Sequence, residues 1–175
     1  MSQLHQGLAA GLLVIGTLLP QAGCTPLAQY DITLNDRIVY QPTPAIRVGG
    51  IADPGLKNCL EQTIIDAQIS EPDALEQLNC SDAGIVSLAG LEQFPSIRSL
   101  KLSGNAVRNL LVLERLTDLQ QLWLDSNDIV DPIPVLRMRS LRQLDLADNP
   151  GLQCPSSDQI PASMQLTLPD HCKAT

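Results

Sequence analysis

Four segments of this chain align without a gap, and their shared period is the feature that most limits what it can fold into. They are Leu75-Glu-Gln-Leu78-Asn-Cys80-Ser-Asp-Ala83-Gly-Ile85, Ile97-Arg-Ser-Leu100-Lys-Leu102-Ser-Gly-Asn105-Ala-Val107, Leu119-Gln-Gln-Leu122-Trp-Leu124-Asp-Ser-Asn127-Asp-Ile129, and Leu141-Arg-Gln-Leu144-Asp-Leu146-Ala-Asp-Asn149. Their starts, at Leu75, Ile97, Leu119 and Leu141, are evenly spaced with a period of 22. Apolar positions and three asparagines recur in phase. The alternative, an amphipathic helical protein, conflicts with the LxL step, which has period 2.

In that step the alternate leucines point to one side of a short strand and the residues between them to the other. Stacked units give a parallel sheet with one strand per repeat and a continuous leucine core behind it. The core has to be aliphatic, because aromatics are 2% of the chain: one Phe, one Trp and two Tyr. The back of each unit carries apolar residues at spacing three: Leu88, Leu91 and Phe94, then Leu110, Leu113 and Leu116, then Pro132, Val135 and Met138. That spacing predicts short helices or 3₁₀ turns. Pro132 and Pro134 argue against a regular helix in the third unit. Pro150-Gly151-Leu152 brings Leu152 one place late, so the regular repeat is expected to end there.

The pattern LxxLxLxxNxL, at this short period, resembles the leucine-rich repeat family, closely over residues 75–154 and more loosely in the flanks. The resemblance implies an α/β fold: a short solenoid of four repeats, its strands on the concave face. Asn105, Asn127 and Asn149 fall where the chain turns inward after the strand. A buried amide there donates and accepts, satisfying backbone groups that no strand reaches. Their expected role is structural.

Residues 1–23 contain no Lys, Arg, Asp or Glu, and Leu8 to Leu19 is a 12-residue apolar run. That suits the core of a signal peptide and is too short for a membrane span. Gln21-Ala22-Gly23-Cys24 follows, which resembles the lipobox of bacterial lipoproteins, with Gln21 where that family has Leu and without its charged first segment. The resemblance implies acylation of Cys24 and, with Thr25 next to it, an outer-membrane lipoprotein of the bacterial envelope, facing the periplasm or the surface. The alternative is an ordinary secretory signal with Cys24 a spare thiol.

An open solenoid exposes its core at both ends, so the flanks must close it. Within residues 24–52, Tyr30–Leu34 and Arg37–Tyr40 alternate around Asn35-Asp36, which suggests a β-hairpin; 41–52, with Pro42 and Pro44, reads as a connector. Residues 53–74 read as the N-terminal cap, with Asp53 capping a helix that has Pro54 at its first position. Residues 155–175 read as the C-terminal tail. With Cys24 lipidated, four cysteines remain, and an exported chain favours disulfides. Of the three possible pairings, only Cys59–Cys80 with Cys154–Cys172 keeps each pair at one end of a solenoid. A zinc site including His171 is the alternative use, although no CxxC is present.

No nucleophile–histidine constellation, phosphate loop, HExxH or EF-hand spacing is found, so the chain reads as a non-enzyme without cofactor or metal. It has 11 Lys+Arg against 19 Asp+Glu, net −8, which gives no footprint for nucleic acid. What remains is a surface. The strand residues that lie between the leucines include Asn79, Arg98, Lys101, Gln121, Trp123, Asp125, Arg142 and Asp145. The lone tryptophan, Trp123, is either an exposed anchor for a partner or lies flat in a cation–π contact with Lys101 or Arg98. Members of the leucine-rich repeat family act by binding proteins or peptides, and sometimes glycans; with the anchor on Cys24, the resemblance implies a membrane-tethered interaction module, expected to be monomeric. A structural envelope component without a ligand, and an accessory or inhibitor of a periplasmic enzyme, are the alternatives. Four strands at about 4.8 Å give a face only about 19 Å long.

Overall fold

The computed structural model describes residues 32–34, 37–40, 46 and 48–173. Two compact units are present, Met1–Pro42 and Thr43–Thr175. In the first, β1 (Ile32–Leu34) pairs antiparallel with β2 (Arg37–Tyr40), with Leu34 opposite Arg37. The signal segment, Cys24 and the turn residues Asn35 and Asp36 lie outside the described residues.

The second unit is a leucine-rich-repeat solenoid. Helix α1 (Pro54–Asp66) comes first, then a parallel sheet in the order β3 (Gln77–Asn79), β4 (Ser99–Lys101), β5 (Gln121–Trp123), β6 (Gln143–Asp145) and β7 (Gln165–Thr167). Leu78, Leu100, Leu122, Leu144 and Leu166 are aligned across it, each one repeat further on. The sheet therefore has five strands, where the repeat pattern suggests four and a tail from 155. The fifth LxL step is Leu166-Thr167-Leu168. Ser163 replaces the leading leucine of that unit, but the period is kept, so β7 falls into register with β6.

Behind the sheet, the leucines of neighbouring coils form one apolar column. Leu100, Leu102, Leu122, Leu124, Leu144 and Leu146 are fully buried, and Phe94, the lone phenylalanine, is sealed in the same core. The backs are 3₁₀ turns at Leu91–Gln93 and Leu111–Arg115. In the third repeat the back is instead a single α turn, α2 (Ile133–Leu136). The prolines do not prevent it, because Pro132 is its N-cap and Pro134 lies in its first turn, where the missing N–H has no partner to lose.

Each turn between strand and back is built the same way. Asp82, Gly104, Ser126 and Asp148, one per repeat, all have positive φ. Only one of the four is glycine, so three turns hold a residue in a conformation that costs on the order of 1 kcal/mol. The next residue in the last three is the repeat asparagine. Asn127 Oδ1 accepts from Val107 N at 2.9 Å, and its Nδ2 donates to the carbonyls of Leu102 and Leu124 at 2.9 and 3.1 Å. Asn149 repeats this one coil later with Ile129 N, Leu124 O and Leu146 O. Asn105 does so one coil earlier with Ile85 N, Cys80 O and Leu102 O. Each amide thus fastens its own turn to that of the preceding repeat.

The ends are closed differently. At the N-terminal end, α1 lays Leu56, Leu60 and Ile64 over the first coil, and the Cys59–Cys80 disulfide ties it to the residue after β3. Part of the expected connector is core: Val48 and Ile51 are buried in the same apolar cluster. Ile51 fits because Gly90, at φ +96, has no Cβ to meet its side chain. At the other end, the Cys154–Cys172 disulfide ties the end of the fourth repeat to the segment after β7.

Asp53 joins the cap to the solenoid. It is 7% exposed. Oδ1 accepts from Leu56 N at 2.9 Å, capping α1, while Oδ2 accepts from Val86 N and Ser87 N at 2.9 and 3.0 Å. Burial pushes the carboxyl's pKa up, but the backbone N–H donors of Leu56, Val86, Ser87 and Gly55 together outweigh it and hold the pKa below the ordinary value of 3.8. A lowered pKa contributes stability that is present above the unfolded-state value and is lost as pH falls through the folded value. Asp53→Asn keeps one acceptor for Leu56 but turns an NH₂ toward two N–H donors. We predict a loss of about 1–3 kcal/mol near neutral pH by denaturant unfolding, shrinking as pH is lowered below about 4. A pH-independent difference contradicts the assignment.

Candidate functional site: the concave face

Because the strands are parallel and in register, the residues between the leucines form columns. One reads Asn79, Lys101, Trp123, Asp145 and Thr167; another reads Gln77, Ser99, Gln121, Gln143 and Gln165. Thr167 and Gln165 extend the set expected from four repeats; the signal for them is the in-phase LxL at Leu166. The strand residues Asn79, Lys101, Gln121, Trp123 and Asp145 are thus brought to one face. Arg98 and Arg142 immediately precede β4 and β6, and Asp125 follows β5.

Not all of these side chains are equally available. Trp123 is only partly exposed, and the Nζ of Lys101 lies 4.9 Å from its ring centroid. That distance is within the range of a cation–π contact. The lysine supplies the contact; Arg98 does not. Asn79 Oδ1 accepts from the N–H and hydroxyl of Ser81 at 3.2 and 2.9 Å. Asp125 accepts from the Ser103 hydroxyl at 2.6 Å, and Asp145 accepts from Ala147 N at 3.0 Å. These three side chains help to shape the turns after their strands. Arg98, Lys101, Gln121 and Arg142 are exposed.

Two shallow clefts open on this face. One, of about 370 Å³, lies at the cap end and is lined by Thr63, Gln77, Leu78, Asn79, Ser99 and Lys101. The other, of about 430 Å³, lies where the chain enters the strands and is lined by Arg98, Thr117, Asp118, Gln120, Ser140 and Arg142. Both are mainly polar, which suits recognition of a polar ligand or a partner's side chains.

Metal-type ligands converge in one place among the described residues: atoms of Cys154, His171 and Cys172 lie within 4.8 Å of one another. Both sulfurs belong to the disulfide, so neither is a thiolate that could bind a metal. The imidazole Nε2 of His171, an exposed residue, lies 3.1 Å from the carbonyl oxygen of Leu152, a contact between the tail and the end of the fourth repeat. Among the described residues no helix is long and apolar enough to cross a membrane.

No protein-family model matches the chain, and no curated protein matches it. Solved structures similar to it include three internalins of Listeria monocytogenes. Internalin C2 is 24% identical over 49% of this chain and 36% of its own, with a TM-score of 0.41. Internalin InlF is 16% identical over 63% of this chain and 44% of its own, also at 0.41. A functional domain of InlJ that includes a cysteine ladder is 16% identical over 55% of this chain and 30% of its own, at 0.33. In all three the matched region spans less than half of the known structure.

Proposed function

We propose that this chain is a non-enzymatic protein-interaction module that binds a protein or peptide through its concave face and is held at the bacterial envelope by a lipid on Cys24. The observation that carries the reading is the contrast between the two sides of the sheet. The leucines are sealed in the core, while the residues between them form a polar face of mixed charge around Trp123. No acid–base pair or nucleophile constellation supports chemistry there, so what this face offers is recognition.

The extent of the face shapes how it binds. Five strands at about 4.8 Å make it about 24 Å long. A standard interface needs about 800 Å² from each partner. Strands of three residues do not supply that area alone, so a partner must also engage a rim, the residues just before or just after the strands. Trp123 gives the interior of the contact a flat, partly desolvated surface once the Lys101 stem is displaced or covered. The Lys101–Trp123 contact is also the one observation that favours a purely structural envelope component, since a satisfied indole needs no partner.

Affinity capture from envelope extracts, run with the wild-type chain and with Trp123→Ala side by side, separates the two. A partner retained by the first and reduced at least about tenfold by the second is expected. Equal recovery by both, or no partner, contradicts the proposal and favours the structural component. Lipidation is tested separately by the mass of the protein isolated from membranes. A mass at Cys24 raised by acyl chains is expected, and an unmodified Cys24 removes the anchor.

A further inference from the structure

We infer that the arginine-lined rim before the strands binds an acidic peptide segment of the partner, lying along the solenoid across Arg98 and Arg142. This deepens the proposed concave-face reading and rests on it. In a parallel sheet every residue that precedes a strand lies on one rim and every residue that follows lies on the other. Arg98, Arg115, Arg137, Arg139 and Arg142 precede strands, and they make up five of the 11 lysines and arginines of a chain whose net charge is −8. Asp82, Asp125, Asp128, Asp145 and Asp148 end or follow strands. Glu76, Glu92, Glu114 and Asp118 also precede strands, and Lys101 and Arg108 end or follow one, so the positive excess on the entry side is local to the clefts around Arg98, Arg137, Arg139 and Arg142.

None of these arginines is spent on an internal ion pair. Among the described residues the ion pairs are Lys57–Glu61 and Lys173–Asp170, both elsewhere. Arg142 is nevertheless held: one Nη donates to the Arg139 carbonyl at 3.1 Å and lies 3.5 Å from the Ser163 hydroxyl. The cleft it shares with Arg98 has hydroxyls from Thr117 and Ser140 and an amide from Gln120 as further donors. A second cleft, of about 450 Å³, continues it past Thr117 and Ser140 to Arg137 and Arg139. Glu114 and Asp118 each offset one charge, so the two clefts together keep two positive charges in excess.

The spacing selects the ligand. Arg98 and Arg142 flank Gln120 through successive backbone hydrogen bonds, each of 2.8 Å, so they stand two strands apart, about 9.6 Å. Carboxylates three residues apart on a peptide in the polyproline II conformation, with three residues per turn and a rise of about 3.1 Å, lie on one side of it about 9.3 Å apart. Each guanidinium can then take one carboxylate through a forked pair of N–H donors. A single compact oxyanion would span this distance less well.

The test is fluorescence anisotropy of a labelled oligoglutamate peptide titrated with the full chain at low salt. Saturable binding is expected, weakened about tenfold in the double variant Arg98→Gln/Arg142→Gln. Asp118→Asn, which removes the opposing carboxylate, is expected to tighten it roughly threefold. Arg108→Gln, at an arginine that follows its strand, is expected to leave it unchanged. Absence of saturable binding, or an equal loss in Arg108→Gln, overturns the proposal. So does full displacement by millimolar inorganic phosphate, which would make the cleft a single-oxyanion site. If oligoglutamate fails while a Trp123-dependent partner is still captured, only the acidic-segment assignment falls; if both fail, the concave-face reading falls with it.

Discussion

The hydrogen bonds of three asparagine side chains decide whether this chain can coil at all. A strand of three residues followed by a sharp turn leaves N–H and C=O groups that neighbouring strands cannot reach, and each such group left buried and unpaired costs about 1–3 kcal/mol. Asn105, Asn127 and Asn149 supply one acceptor and several donations each, to their own turn and to the preceding one. The positive φ one residue earlier aims the amide inward. Among the described residues no buried side-chain nitrogen or oxygen lacks a partner. With the turns fixed, the leucines of successive coils are brought into one column and the residues between them into another.

A stack of this kind is stable only if its ends are sealed, because each coil buries its leucines against its neighbours. Here the N-terminal seal is an amphipathic helix, and the joint is electrostatic as well as apolar: one carboxylate, Asp53, caps the helix and binds two N–H groups of the first repeat. The C-terminal seal is a fifth strand with a weaker apolar pattern. Leu166 and Leu168 are only partly buried, where Leu144 and Leu146 one coil earlier are fully so. A disulfide at each end closes a loop of about 20 residues, which on the chain-entropy view adds up to about 3 kcal/mol apiece. For a solenoid this short that is a large part of the margin by which folded proteins are stable.

What can be read from the sequence follows from which interactions are periodic. The inward leucines and the turn asparagines recur in every repeat, so their roles are visible without coordinates. Interactions made once are not visible in that way. Asp53 reads as a helix cap, but its grip on Val86 and Ser87, far along the chain, leaves no local signal. Ile51 in the core depends on the empty side of Gly90. The fifth strand is hidden because Pro150-Gly151 interrupts the pattern and Ser163 replaces a leucine, although the period survives. Prolines at the back of the third repeat argue against a helix until their place in its first turn is known. For Trp123 both possibilities can be written down, and only the register of β4 against β5 puts Lys101 over the ring. The arginines that precede strands are in the sequence throughout, but they share a rim only once all strands are known to run the same way.

If side-chain amides lock each coil to the one before it, the lock can be measured directly. The measurement is native-state hydrogen exchange of the N–H groups of Ile85, Val107 and Ile129, each donated to the oxygen of an asparagine 20 residues later. These amides lie in turn regions, where exchange is ordinarily fast. Locked coils require that they exchange only through global unfolding, with the same free energy as the strand amide of Leu122. Exchange at the rate of exposed turns, while the strands stay protected, would contradict the lock.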